Sequence, residues 1–200
     1  MQQTMNFDLK HYVYRIDNFL DHDFCRSLIK KIKKYDYSVN TDKKTWHKHS
    51  YYDNITEKNI SHDNDLSVCY DDSQETKYIH DKLNQAVADY PKHVGVRDWC
   101  GPVKELSHLR YNGYGVNTEM RLHVDHIHSL FDGQRKGVPV LTCLGTLNDN
   151  YEGGEFLMFN GMQYPMPTGT LLIFPSNFLY PHAVKPVKRG IRYSYVSWGW

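Results

Sequence analysis

After Gly101-Pro102 the chain changes character, and that change restricts the folds open to it. From there to Trp200, short apolar or alternating runs are divided by turn signals at Asn112-Gly113, Asp132-Gly133, Gly153-Gly154, Asn160-Gly161 and Pro167-Thr168-Gly169. Punctuation at this spacing leaves segments suited to strands and too short for helices. Residues 138–147, 155–159, 170–174 and 191–198 are strand-length and rich in β-branched or aromatic side chains, which fit a pleated surface. The N-terminal half reads differently. Residues 12–16 alternate as a short strand, and Phe24, Leu28 and Ile32 then recur at spacing four behind Asp21, an N-cap candidate. Residues 37–74 are polar and read as loop with short strands. Residues 75–90 return to helix, with Ile79, Leu83 and Val87 on one stripe and Pro91 ending the run. The expected fold class is mainly β, a double-stranded β-helix (jelly roll) with N-terminal supporting α-helices. One domain over 1–200 is expected, with a helical preface at about 10–100 and a jelly-roll core at about 101–200.

Charge narrows the function classes. Lys and Arg number 24 against 23 acidic residues, for a net charge of +1, so no global field steers a polyanion. The Lys30-Lys31-Ile32-Lys33-Lys34 run falls on the first helical pattern and reads as a solvated face, and no nucleic acid partner is expected. Cys25, Cys69, Cys100 and Cys143 are widely separated and form no CxxC pair, which argues against structural zinc or a disulfide framework. Residues 1–8 carry no apolar signal core, and no apolar run approaches the ~20 residues of a membrane span. A cytoplasmic protein without a membrane partner is the expectation.

The chemistry is concentrated in His123-Val124-Asp125, His182 and Arg192. On a strand, residues two apart point the same way, so His123 and Asp125 can grip one ion while His126 and His128 face elsewhere; His126 stands as a rival ligand. His182 follows the break at Tyr180-Pro181 and opens the next strand, where it can close the triad. Two imidazoles and a carboxylate on one face of an octahedral ion leave positions for a cosubstrate and oxygen, which suits iron(II). Arg192 lies among apolar and aromatic neighbours in the run from Ile191 to Trp198. A guanidinium inside a jelly roll needs an anion, and Ser194 shares its face, so the pair can hold one carboxylate. A dicarboxylic 2-oxoacid, chelating the metal at one end and reaching Arg192 at the other, points to 2-oxoglutarate.

With Trp198 six positions beyond Arg192, the order of these residues resembles that of the iron(II)/2-oxoglutarate-dependent oxygenases, in their prolyl 4-hydroxylase-like branch. The resemblance covers residues 106–200, and residues 110–130 and Glu152-Gly153-Gly154-Glu155-Phe156 are similar to small phage-encoded members. It implies His123, Asp125 and His182 as iron ligands, Arg192 as the partner of the distal carboxylate, and Tyr114 and Thr146 as further cosubstrate contacts. Thr146 stands where relatives often have tyrosine. So does Met120, in the pocket wall. Asn117 replaces a family glycine, which suits a left-handed backbone. The implied cofactors are Fe(II), 2-oxoglutarate and O2, with ascorbate as reductant, and the implied location is a host cytoplasm if the protein is phage-encoded. The implied reaction is hydroxylation, most readily of a prolyl residue in a peptide or protein. Arg135 and Trp198 are the substrate candidates, and Tyr193 and Tyr195 are aromatics able to pack on a proline ring. Two alternatives stay open: a hydroxylase of a free amino acid, small metabolite or nucleic-acid base, and a non-catalytic jelly-roll binding module. Base demethylases carry an arginine where this chain has Trp198, which disfavours that version.

Overall fold

A computed structural model describes residues 6–37, 44–53, 56–125 and 138–200. A 3-10 turn at Leu9–Tyr12 leads into β1 (Tyr14–Ile16), α1 (His22–Ile32), β2 (Asp36–Tyr37), β3 (Thr45–Lys48), β4 (Tyr51–Asp53), β5 (Lys58–Ile60), β6 (Ser67–Tyr70) and α2 (Gln74–His93). The described residues of the second half add strands: β7 (Arg110–Tyr114), β8 (Met120–His123), β9 (Leu141–Thr146), β10 (Glu152–Gly153), β11 (Phe156–Met158), β12 (Met162–Tyr164), β13 (Leu171–Pro175), β14 (His182–Val184), β15 (Val187–Arg189) and β16 (Arg192–Gly199). An eight-stranded sheet in the order β1-β13-β9-β16-β7-β6-β3-β2 faces a four-stranded sheet in the order β12-β11-β14-β8. These are the two sheets of a jelly roll.

Both helices start where side-chain capping predicts. Asp21 accepts from the N–H groups of Asp23 and Phe24 at 2.7 and 3.2 Å, and Ser73 accepts from Thr76 N–H at 3.4 Å, satisfying donors with no partner inside the helix. One expectation is corrected. Pro91 does not stop α2, which runs on to His93. A proline in the last turn forfeits only its own N–H, and the turn still closes through Val94 N–H to Tyr90 O at 3.0 Å. Within 37–74, read as loop with short strands, β6 pairs with β7 through Cys69 opposite Tyr111 and extends the large sheet through β3 to β2. Buried Val68 and Cys69 anchor it within an otherwise polar stretch.

The large sheet has two buried faces, and strand alternation decides which residues each receives. Leu141, Cys143, Leu171, Ile173, Tyr193 and Tyr195 pack with α1 and α2 through Leu28, Ile32, Ile79 and Leu83. Tyr114, Leu144, Leu172, Phe174 and Val196 pack on the other side against Phe156, Met158 and Val184 of the small sheet. The functional candidates lie between the sheets, with Tyr114, Thr146, Arg192 and Ser194 on the large sheet and His123 and His182 on the small one.

Candidate metal and cosubstrate site

His123 is the last residue of β8 and His182 the first of β14, and the two are register partners across the antiparallel pair. Their rings lie 4.3 Å apart between centroids. Strand alternation does not account for Asp125, because β8 ends at His123. Thr142 of β9 holds it instead, donating from Oγ1 to Asp125 Oδ2 at 2.9 Å, with Ser176 Oγ 2.8 Å beyond. Asp125 Oδ1 and Oδ2 lie 3.5 and 3.6 Å from Nε2 of His123 and His182. All three ligand atoms fall within 4.8 Å of one another, and no other group of three His, Cys, Asp or Glu does so among the described residues.

Hydrogen bonding fixes which nitrogens are available. His123 Nδ1 donates to Arg121 O at 2.8 Å, and His182 Nδ1 donates to Tyr180 O at 3.1 Å. A carbonyl can only accept, so both Nδ1 atoms carry the proton and both Nε2 lone pairs point into the cluster, the arrangement a divalent cation requires. Burial drives the His182 pKa down to about 4, against the pull of Asp125, leaving a neutral imidazole at neutral pH. Burial also works to raise the Asp125 carboxyl, but His182, His123 and the Thr142 hydroxyl outweigh it and hold the group ionised. Neutral imidazoles and an anionic carboxylate are the ligand forms of a divalent metal.

Arg192, at the start of β16, is fully buried. Its Nη1 donates to Ser194 Oγ at 3.0 Å and its guanidinium lies 5.0 Å from the Tyr114 ring centroid, while Nε and Nη2 have no hydrogen-bond partner among the described residues. Gly154 makes the space: a Cβ there would stand 3.2 Å from Arg192 Cδ, and its φ of +63° is one that side chains disfavour. Thr146, opposite Ser194 in the register, also has a buried hydroxyl with no partner. Unpaired N–H groups on a buried cation are costly. Arg192, Ser194, Thr146 and Tyr114 thus form one cradle with donors to spare, on the large-sheet face that looks toward the small sheet and its two histidines.

Of the other candidates, Trp198 lies on the same face of β16 as Arg192, half-buried beneath the Arg110 guanidinium at 4.9 Å from ring centroid to Cζ. Tyr193 and Tyr195 do not reach the site: they face the helices as core residues. Arg135, Lys136, His126 and His128 lie outside the described residues. Asn117 adopts φ +64°, as expected of a residue in a glycine position. Two residues were missed, Thr142 and Arg110, the latter lining the cleft with the triad. Counting back by twos from Thr146 and from Tyr114 reaches both.

Comparison with known proteins agrees with this geometry. The sequence profile of the 2OG-Fe(II) oxygenase superfamily matches residues 109–200. A PKHD-type hydroxylase of Synechococcus sp. is 36% identical over 88 residues, covering 42% of this chain and 36% of that protein. Another, of Methylobacterium nodulans, is 33% identical over 103 residues, covering 48% and 44%. The chain therefore spans less than half the length of the curated relatives it matches. Among solved structures, the viral collagen prolyl hydroxylase of Paramecium Bursaria Chlorella virus-1 superposes with a TM-score of 0.62 at 17% identity, over 94% of both chains. A Pseudomonas putida prolyl-4-hydroxylase gives 0.61 at 18%, over 94% of this chain and 92% of its own. A Trichoplax adhaerens prolyl hydroxylase, in complex with a hypoxia inducible factor peptide fragment, gives 0.64 at 16%, over 95% and 84%. At such identities these neighbours establish the jelly-roll fold alone.

Proposed function

We propose, from the match of residues 109–200 to the 2OG-Fe(II) oxygenase superfamily, that the protein is an Fe(II)- and 2-oxoglutarate-dependent dioxygenase hydroxylating a prolyl residue in a peptide or protein. His123, Asp125 and His182 hold the iron. Arg192 and Ser194 receive the distal carboxylate of 2-oxoglutarate, with Thr146 and Tyr114 completing its pocket. When bound, iron, 2-oxoglutarate and O2 together supply oxidation of a C–H bond to C–OH, with release of succinate and CO2.

The observation that carries this reading is the buried guanidinium of Arg192 with two donor nitrogens unpaired among the described residues, between the same two sheets as a triad whose Nε2 atoms are freed by backbone carbonyls. A jelly-roll binding module has no use for such an arginine. The chain's own contribution is positional. Thr142 fixes the Asp125 carboxylate, Arg121 O and Tyr180 O fix the imidazoles, and Phe156 and Phe174, with ring centroids 5.6 and 5.2 Å from His182, exclude water from one flank. The prolyl substrate rests on the relatives, since PKHD-type and prolyl hydroxylases recur among them.

The test supplies purified protein with Fe(II), 2-oxoglutarate, O2 and ascorbate as reductant, and follows succinate together with the mass of proline-bearing peptides. Succinate release with a gain of one oxygen on proline is expected, and Asp125→Ala should abolish both while remaining folded. An active enzyme that spares every prolyl peptide yet turns over a small metabolite would overturn the prolyl reading.

A further inference from the structure

Arg110 opens β7 and, by strand alternation, shares its face with Asn112 and Tyr114, toward the small sheet. Its side chain lines the same cleft as His123, Asp125 and His182. The guanidinium lies over the Trp198 indole, and its Nε donates to Asn112 Oδ1 at 3.1 Å. Stacking and this hydrogen bond hold the plane, so the group is preorganised. Neither Nη group has an acceptor or an ion-pair partner among the described residues. Acidic side chains nearby are already engaged: Asp125 with the imidazoles and Thr142, and Asp65 with Arg121 and His62 N–H. Trp198 Nε1 is likewise buried without an acceptor.

Charge balance points the same way. With metal and cosubstrate in place, the two charges of the ion and the one of Arg192 are matched by Asp125 and a dianionic 2-oxoacid. Arg110 is left over. A positive group with a free two-donor edge, set rigidly beside the oxidising centre, complements a single planar anion. We propose that Arg110 is the specificity-determining residue of the site and that the substrate presents a carboxylate to it: a free amino acid, a C-terminal residue, or an acidic side chain next to the oxidised residue. This rests on the oxygenase reading above and names its substrate class.

The experiment loads the anaerobic protein with Fe(II) and 2-oxoglutarate and titrates three acid and amide pairs. These are L-proline against L-prolinamide, a pentapeptide ending in proline against its C-terminal amide, and an amide-capped pentapeptide with Asp beside an internal proline against its Asn counterpart. Binding is read from the perturbation of the visible absorption of the metal-bound cosubstrate and from indole fluorescence. At least one acid is expected to bind 10–100-fold tighter than its amide, roughly the range of a charge-assisted bidentate contact, and the pair that discriminates identifies the source of the carboxylate. Arg110→Gln should erase that preference without weakening 2-oxoglutarate binding more than about threefold, and Arg110→Lys should restore part of it. Equal binding of acid and amide in all three pairs overturns the proposal, as does a preference that survives Arg110→Gln. The wild-type comparison needs no variant to fold. Absence of the cosubstrate band from the wild type overturns the oxygenase reading itself, and this inference with it.

Discussion

Replacing Arg192 by methionine should make the cosubstrate-free protein more stable and the cosubstrate unable to stabilise it further. The guanidinium is 0% exposed, and a buried ion costs several kcal/mol even after relaxation. One hydrogen bond to Ser194 and the stack on Tyr114 offset roughly 2–3 kcal/mol of that. Methionine fills most of the same channel without charge, so a net gain of about 1–3 kcal/mol is expected, or roughly 2–10 °C in Tm for a chain of this size. Cosubstrate should act in the opposite direction on the two proteins. At about 100 times its Kd, 2-oxoglutarate with Mn(II) adds about 2.7 kcal/mol to the wild type and nothing measurable to the variant. Scanning calorimetry with Mn(II), with and without 2-oxoglutarate, measures both effects. Arg192→Lys, which keeps the charge and loses the fork, should gain no stability. A methionine variant that melts below the wild type without cosubstrate, or retains the 2-oxoglutarate shift, would refute the idea that this arginine awaits a carboxylate.

Other consequences are as direct. Thr142→Val removes the only hydroxyl donor that the structure gives Asp125 Oδ2 and should weaken Mn(II) binding about 10–100-fold by calorimetric titration, with little loss of fold. Gly145→Ala places a Cβ 2.0 Å from Cζ of the buried Tyr195 ring, so urea unfolding should show a loss of about 3 kcal/mol. His49, lowered to about 4 chiefly by burial, keeps its ordinary value of about 6.5 when unfolded. The unfolded state therefore takes up the proton first, and stability should fall as pH drops from 6.5 toward 4. The loss is roughly 1–2 kcal/mol after allowance for the ring's partial exposure, and His49→Asn should flatten that part of the pH profile.

Much of the site was legible because two-residue alternation is a strong rule inside real strands. It placed Arg192 with Ser194, while the break at Tyr180-Pro181 set His182 at the start of its own strand. It grouped Asp125 with His123 for an insufficient reason, since β8 has ended by then and a hydroxyl from β9 does the positioning. Such cross-strand support is a tertiary contact with no local signature. Tyr193 and Tyr195 read as possible substrate aromatics because composition does not say which face of a strand meets the helices; their phase opposite to Arg192 does. The N-terminal strands were hardest to see. Residues 37–74 are too polar for a periodic signal, and within β6 only Val68 and Cys69 are buried. Helix starts were readable from Asp21, whereas the end of α2 was not, because proline is tolerated where few helical bonds remain.

A crystal structure of the protein grown anaerobically with Mn(II) and 2-oxoglutarate tests the central claim most directly. One ion bound by Nε2 of His123, a carboxylate oxygen of Asp125 and Nε2 of His182 is expected, chelated by the 2-oxoacid, whose far carboxylate lies against Nε and Nη2 of Arg192. An ion held elsewhere, or a cosubstrate that leaves those two nitrogens unpaired, would contradict it.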